Sequence, residues 1–224
     1  MAIKIQSTKD IKIDSVKCIV YGGPGSGKTR MVATAPNPII ISAEKGLLSL
    51  ADVDASYIEV RNMKDFNDAY KWAKSSTEAD LFESIGLDSL SEIAEVLVTE
   101  LKPQFKDGRQ VYMALADAMM PMLRKFRDLE RKHTLFTVKM LRVQDEESGA
   151  VTEELLMPGK VLGNQIPYMV DEMFKINVDR KGTATLQTAP SRLSFAKDRS
   201  GALANPEALD MTAIIKKIMA KQGN

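Results

Sequence analysis

The chain has 224 residues, 44% hydrophobic and 27% charged, with 31 lysines and arginines against 30 aspartates and glutamates. These proportions exclude disorder over most of the length and match a single folded α/β domain with a sizeable core. One cysteine, Cys18, rules out an internal disulfide framework, and one histidine, His133, argues against a histidine-rich metal site or a Ser-His-Asp triad. No apolar run approaches the roughly 18–20 residues of a membrane span. The start MAIKIQSTKD lacks the apolar core of a signal peptide, so the expected location is the cytoplasm.

The hydrophobic pattern predicts short strands alternating with helices along one domain, 1–224, with an extension over about 1–14. Val16–Tyr21 reads as a strand ending in glycines, and a helix begins at Thr29. Pro38–Ser42 is a continuous apolar run, the pattern of a strand buried on both faces. Ala55–Val60 is a third strand and Met63–Ser75 a helix with Asp65 and Asp68 near its start. Leu81–Leu87 leads into Asp88, and Ser89–Leu101 has helical period. Gln110–Glu130 reads as a longer helix that Pro121 should kink or divide. Thr134–Arg142 is another strand, and the acidic stretch Val143–Leu156, interrupted by Ser148-Gly149, a hairpin or exposed loop. Met173–Asp179, Ala184–Thr188 and Arg192–Ala196 read as late strands, and Pro206–Lys221 as an amphipathic closing helix. The fold class is therefore α/β, a mostly parallel sheet flanked by helices with antiparallel edge strands.

Gly22-Gly23-Pro24-Gly25-Ser26-Gly27-Lys28-Thr29 fits G-x-x-x-x-G-K-[ST] between a strand and a helix. The glycines let successive backbone N–H groups turn inward on a phosphate, and the helix start adds its positive dipole end. Lys28 can reach the β- and γ-phosphates and the Thr29 hydroxyl can ligate Mg²⁺. The nucleotide-binding set runs from Gly22 to Arg30, and ATP with Mg²⁺ is the expected ligand pair. Asp88, after the apolar stretch Ser84–Leu87, is the candidate for positioning the metal through its water shell; a helix-capping aspartate is the alternative. There is no N-K-x-D guanine-reading motif and no L-S-G-G-Q signature, which disfavours a GTPase and an ABC ATPase. Glu44 stands just after the Pro38–Ser42 strand, where a carboxylate at a strand's C-terminal end faces the phosphate crevice.

In IIISAEKGL, in LDSLSE around Asp88 and in the phosphate loop, the chain resembles the RecA/DnaB class of ATPase cores. That resemblance implies a RecA-like fold with Glu44 as general base. It also implies that Lys197 and Arg199 of AKDRSG form a finger reaching a neighbouring subunit's γ-phosphate, so that a homo-oligomer carries its active sites at subunit interfaces. Together with RQVYMALADAMMPMLRKFRDL and PGKVLGNQIPYMVDEMFKI, these segments resemble phage-encoded RecA-like single-strand annealing ATPases. The resemblance implies single-stranded DNA as substrate, recombination or replication as setting, a single-strand DNA-binding protein as a further partner, and the host cytoplasm as location. For the γ-phosphate sensor, Lys139 and Gln144 are both open. Two other classes remain as alternatives: a phosphotransferase of the nucleoside monophosphate kinase type, and a nucleotide-dependent regulatory module with negligible turnover.

Charge is unevenly distributed. Residues 100–142 carry 10 basic and 5 acidic groups, and residues 143–172 carry 1 and 7. The basic run Arg124–His133 could touch DNA phosphates, although such a run is commonly a solvated helix face. The acidic loop around Asp145–Glu147 would repel DNA, which makes Lys160–Tyr168 the better local candidate. Cys18 and most of the 13 methionines are expected in the core or at subunit contacts.

Overall fold

A computed structural model describes residue 7, residues 13–44 and residues 47–222. The expected extension over 1–14 therefore falls almost wholly outside the described residues, as do Lys45 and Gly46 of the IIISAEKGL segment. The described residues form a nine-stranded sheet. Its main path is ordered β3 (Ser56–Glu59), β2 (Pro38–Ser42), β4 (Ser84–Leu87), β5 (His133–Gln144), β1 (Lys17–Gly22), β7 (Glu172–Val178) and β8 (Ala184–Gln187). All pairings from β3 to β7 along this path are parallel. β8 and the two-residue β9 (Lys197–Asp198) run antiparallel to β7, and β6 (Val151–Leu156) folds back on the outer half of β5. This is the expected α/β fold, a mostly parallel sheet with antiparallel edge strands, in which β5 separates the phosphate-loop strand β1 from β4 and its aspartate.

Helices cover both faces because the central strands are apolar on both sides. From β1, Cys18 and Val20 point to one face, where α1 (Lys28–Ala33) and α6 (Met211–Gln222) pack. Ile19 and Tyr21 point to the other, covered by α2 (Met63–Ser75), α3 (Leu90–Leu101), α4 (Gly108–Arg127) and α5 (Lys160–Met169). Local chemistry sets where helices start. Asn62 accepts the Asp65 amide at 2.9 Å, Ser89 the Glu92 amide at 3.3 Å and Asp107 the Arg109 amide at 2.9 Å, each relieving an orphan donor of a first turn.

Several expectations need correction. Pro121 does not divide α4, which runs unbroken from Gly108 to Arg127. Pro121 is exposed, while Met119, Met120, Met122 and Leu123 are buried around it, so packing of the inner face outweighs the lost backbone bond. Arg192–Ala196 is not a strand; it makes one isolated bridge, Ser194 to Glu153, and the strand pairing falls instead on Lys197–Asp198. The closing helix starts at Met211 rather than Pro206, because Glu207 is held in a bridge to Leu186 and Asp210 accepts the Ala213 amide at 3.0 Å. Lys160–Met169, to which the sequence pattern assigned no element, is a helix containing Gly163 and Pro167. Among the described residues no helix is long and apolar enough to cross a membrane.

Candidate functional site

A cleft of about 730 Å³ opens at the C-terminal ends of β1, β2 and β4, beside the middle of β5. The phosphate loop forms its floor. Gly25 and Gly27 adopt φ of 68° and 98°, a region that only glycine enters without strain, and Gly27 hands the chain to α1. Lys28 Nζ donates to the carbonyls of Gly22 and Gly23 at 3.0 and 2.9 Å, so its ammonium lies over the loop. Burial pulls the Lys28 pKa below its ordinary value, although Asp88 and Glu44 attract its charge. Ser26 Oγ is buried and has no hydrogen-bond partner among the described residues, and a Cβ at Gly22 would lie 2.7 Å from it.

Asp88, buried at 1% exposure, meets two hydroxyls. Thr29 Oγ1 donates to Asp88 Oδ2 at 2.6 Å, joining residues 59 apart in the chain. Thr137, from the intervening strand β5, donates to Oδ1. Ser89, not Asp88, caps α3 with its side chain, so the carboxylate is left facing the phosphate loop. Thr137 lies within the expected strand Thr134–Arg142, next but one to the sensor candidate Lys139. A hydroxyl inside the apolar run Leu135–Val138 was the available signal. The hard oxygens of Thr29 and Asp88, beside an unpartnered Ser26 hydroxyl, are the donor types Mg²⁺ takes, so these residues fit the metal.

Glu44 lies on the cleft wall beyond β2, with its amide bonded to Ser42 Oγ at 3.0 Å. Partial burial raises its pKa, and the like charges of Asp88 and Glu92 add to the effect. The sheet puts β2 beside β4, three strands from β1, so Glu44 reaches the cleft from across the sheet. Arg30 also lines the cleft and pairs with Asp52, its Nη2 reaching Oδ2 at 2.6 Å.

Of the two sensor candidates, Lys139 lines the cleft and Gln144 does not. Lys139 is Gly22's register partner; its ammonium bonds Glu92 and lies 3.5 Å from Glu95. Burial works against that charge, but Glu92 and Glu95 raise the pKa overall. Gln144 is exposed at the far end of β5, where its amide reaches the Gly149 carbonyl at 3.5 Å.

Lys197 and Arg199 do not line this chain's cleft. Lys197 Nζ donates to the carbonyls of Pro167 and Val170 at 2.6 and 2.5 Å, closing the C-terminal end of α5. Arg199 stays exposed and pairs with Asp171 at 3.0 Å. Within the basic run, Lys132 is spent on the carbonyls of Ala79 and Phe82, at 2.6 and 2.5 Å, and Arg127 on Asp128. Arg124 and Lys125 remain exposed, as do Lys160 and Tyr168 on α5. His133 serves the fold: its Nδ1 accepts the Val16 amide at 2.9 Å.

The mostly parallel sheet, the phosphate loop and the Thr29–Asp88 contact define a P-loop NTPase. The chain belongs to the AAA_24 family, an AAA domain, which matches residues 14–200. Among solved structures it is similar to the KaiC-like protein PH0186 of the hyperthermophilic archaeon Pyrococcus horikoshii OT3, at 12% identity over 77% of each chain and a TM-score of 0.42. No curated protein matches it.

Proposed function

We propose that this protein is a Mg²⁺-dependent ATPase that hydrolyses ATP as an assembled homo-oligomer and acts on single-stranded DNA. The observation that carries the hydrolase reading is the Thr29–Asp88 contact, made at a cleft that also holds Lys28 and Glu44. Thr29 and Asp88 would hold Mg²⁺, which would supply positive charge to offset that of the phosphates. Lys28 moves from the loop carbonyls to the phosphates, and the backbone around Gly25–Gly27 holds them in place. Glu44 takes the proton from the attacking water as the bond from γ-phosphorus to the bridging oxygen breaks, which leaves ADP and inorganic phosphate. Its raised pKa makes it a stronger base than an ordinary glutamate. Lys139, drawn from Glu92 and Glu95, senses the γ-phosphate.

Arg199 serves the neighbouring subunit's site, being exposed and held, among the described residues, by one surface ion pair. Such pairs are worth little and exchange readily. Lys197 supports the same segment by anchoring it to α5. The DNA part of the proposal, strand annealing in phage recombination or replication, rests on the sequence resemblance; Lys160 and Tyr168 supply an exposed cation and aromatic ring of the type that binds single strands.

Phosphate release and annealing of complementary strands, each measured with and without single-stranded DNA, test the proposal. Turnover by the assembled protein with faster annealing is expected. Absence of phosphate release under every condition refutes the ATPase reading, and unchanged annealing refutes the DNA reading. Arg199→Ala should lower turnover per subunit in the assembly; an unchanged rate removes the trans assignment.

A further inference from the structure

Tyr21 is the residue immediately before the phosphate loop's first glycine, and its side chain is fully buried. Its hydroxyl donates to the Phe195 carbonyl at 2.5 Å, joining residues 174 apart. The same hydroxyl lies close enough to Glu153 and Ser194 to feel both: burial first, then the Glu153 charge, raise its pKa, while Ser194 works the other way. Around it sits a buried ion pair. Lys175, the register partner of Tyr21, bonds Glu153, and their side chains are 9% and 5% exposed. Glu153 also accepts Arg142 Nε at 3.1 Å. Its backbone amide donates to the Leu193 carbonyl at 2.6 Å, and it bridges Ser194.

Residues 193–195 are therefore held from two sides, by β6 through backbone contacts and by β1 through one phenol. The outward side of this segment presents Leu193 and Phe195, 52% and 66% exposed, and the chain continues directly to Arg199. At the other end of the connection, Lys28 bonds the carbonyls of Gly22 and Gly23, the groups that follow Tyr21. A phosphate that competes for the Lys28 ammonium changes the load on those peptides, one residue from the phenol.

We propose that Tyr21 is a positioning residue that ties the phosphate loop to the segment Leu193–Arg199, so that nucleotide at Lys28 sets how this segment, with Phe195 and Arg199, is presented at the surface. The buried Lys175–Glu153 pair is the rigid support that makes the tie directional. Charges inside a packed core hold a preferred arrangement because any displacement leaves them unpaired. Two discrete arrangements of one segment, biased from the loop, are the physical content of such coupling. The hydrolysis arm below rests on the assignment of Arg199 to a neighbour's site; the exchange arm does not.

The test is hydrogen exchange of residues 191–203 in the full chain, with Mg²⁺ and a non-hydrolysable ATP analogue present or absent, for the wild type and Tyr21→Phe. The wild type should show a nucleotide-dependent change both in the loop and in 191–203. Tyr21→Phe should keep the loop change and an affinity for the analogue within roughly threefold, and lose the change in 191–203. In the assembled protein its kcat should fall by roughly fivefold, the factor one neutral hydrogen bond is worth, with KM for ATP unchanged. Lys175→Met combined with Glu153→Gln, a replacement that leaves no lone buried charge, is the second variant and should also lose the change. A wild type without exchange differences in 191–203, or a Tyr21→Phe chain that retains them, overturns the inference. If Arg199→Ala leaves turnover intact while the exchange pattern is as expected, the trans assignment fails and the tie stands.

Discussion

Gly86→Ala tests how tightly the phosphate-loop helix must sit against the strand that delivers Asp88. Gly86 lies in β4, two residues before Asp88, and an added Cβ would stand 2.2 Å from Cγ1 of Val32 in α1, with its Cβ and Cγ2 at 3.4 and 3.5 Å. Carbon atoms in contact prefer about 3.5–4.0 Å, so the first distance is untenable. Val32 is fully buried and branched at Cβ, which leaves it one favoured rotamer in a helix. The strain must therefore move α1 itself. Overpacking of this kind costs about 1–3 kcal/mol. At roughly 2–4 °C per kcal/mol for a chain of this size, the melting temperature should fall by about 2–12 °C. Because α1 begins with Lys28 and Thr29, the shift should also weaken Mg²⁺-nucleotide binding. Thermal unfolding of Gly86→Ala, Val32→Ala and the double variant forms a complete cycle. The double variant should cost less than the sum of the singles by at least about 1 kcal/mol, since Val32→Ala removes the clashing methyls. A Gly86→Ala protein that melts with the wild type, or a cycle that is additive, refutes this account of the α1–β4 contact.

Glu44→Gln should bind ATP with near wild-type affinity while turnover falls by about 10²-fold or more, the usual scale for a lost general base; equilibrium binding and phosphate release check the two halves, and full turnover removes Glu44 from that role. Asp88→Asn should bind ADP in the absence of metal as the wild type does but lose the gain in affinity that Mg²⁺ brings; calorimetric titration with and without the metal measures it, and an undiminished gain refutes the assignment. Glu172, buried beneath the Ser200 amide with one oxygen unpartnered among the described residues, has its pKa raised from 4.5 to about 7 by burial and by neighbouring Asp198. Its protonated form is favoured in the fold, so its contribution to stability is complete below about pH 4.5 and is lost as pH rises through about 7. Glu172→Gln should therefore gain stability relative to the wild type as pH rises across that window, and denaturant midpoints that differ by a constant amount refute it. His133 has the opposite sign. Burial depresses its pKa below 6.5, so its contribution is present above pH 6.5 and declines as pH falls below it. His133→Gln should flatten that acid-side decline in the same measurement, and an unchanged slope refutes the assignment.

What the chain determines locally was legible in its sequence. The phosphate loop is one contiguous run whose glycines and lysine act through neighbouring backbone, and Met63–Ser75 occupies the expected bounds because its cap and apolar period lie within it. The buried run Pro38–Ser42 needed no partner to be recognised as a two-sided strand. Glu44 and Asp88 could be named as strand-end carboxylates from spacing alone, but their placement at one cleft with Lys28 required the strand order. That order puts Thr137 between Asp88 and β1, while the stretch of β5 that runs on past its pairing with β1 carries Gln144 away from the cleft that Lys139 lines. Spacing could make Lys197 and Arg199 equivalent, since both project to one side of an extended chain. Only α5, ending where Lys197 can donate to its last carbonyls, commits one to the fold and leaves the other exposed. The tie from Tyr21 to Phe195 and the pair Glu153–Lys175 join residues far apart in the chain by contacts that carry no local periodicity. Such contacts exist only once the sheet has aligned the strands, and so the tertiary structure decides them.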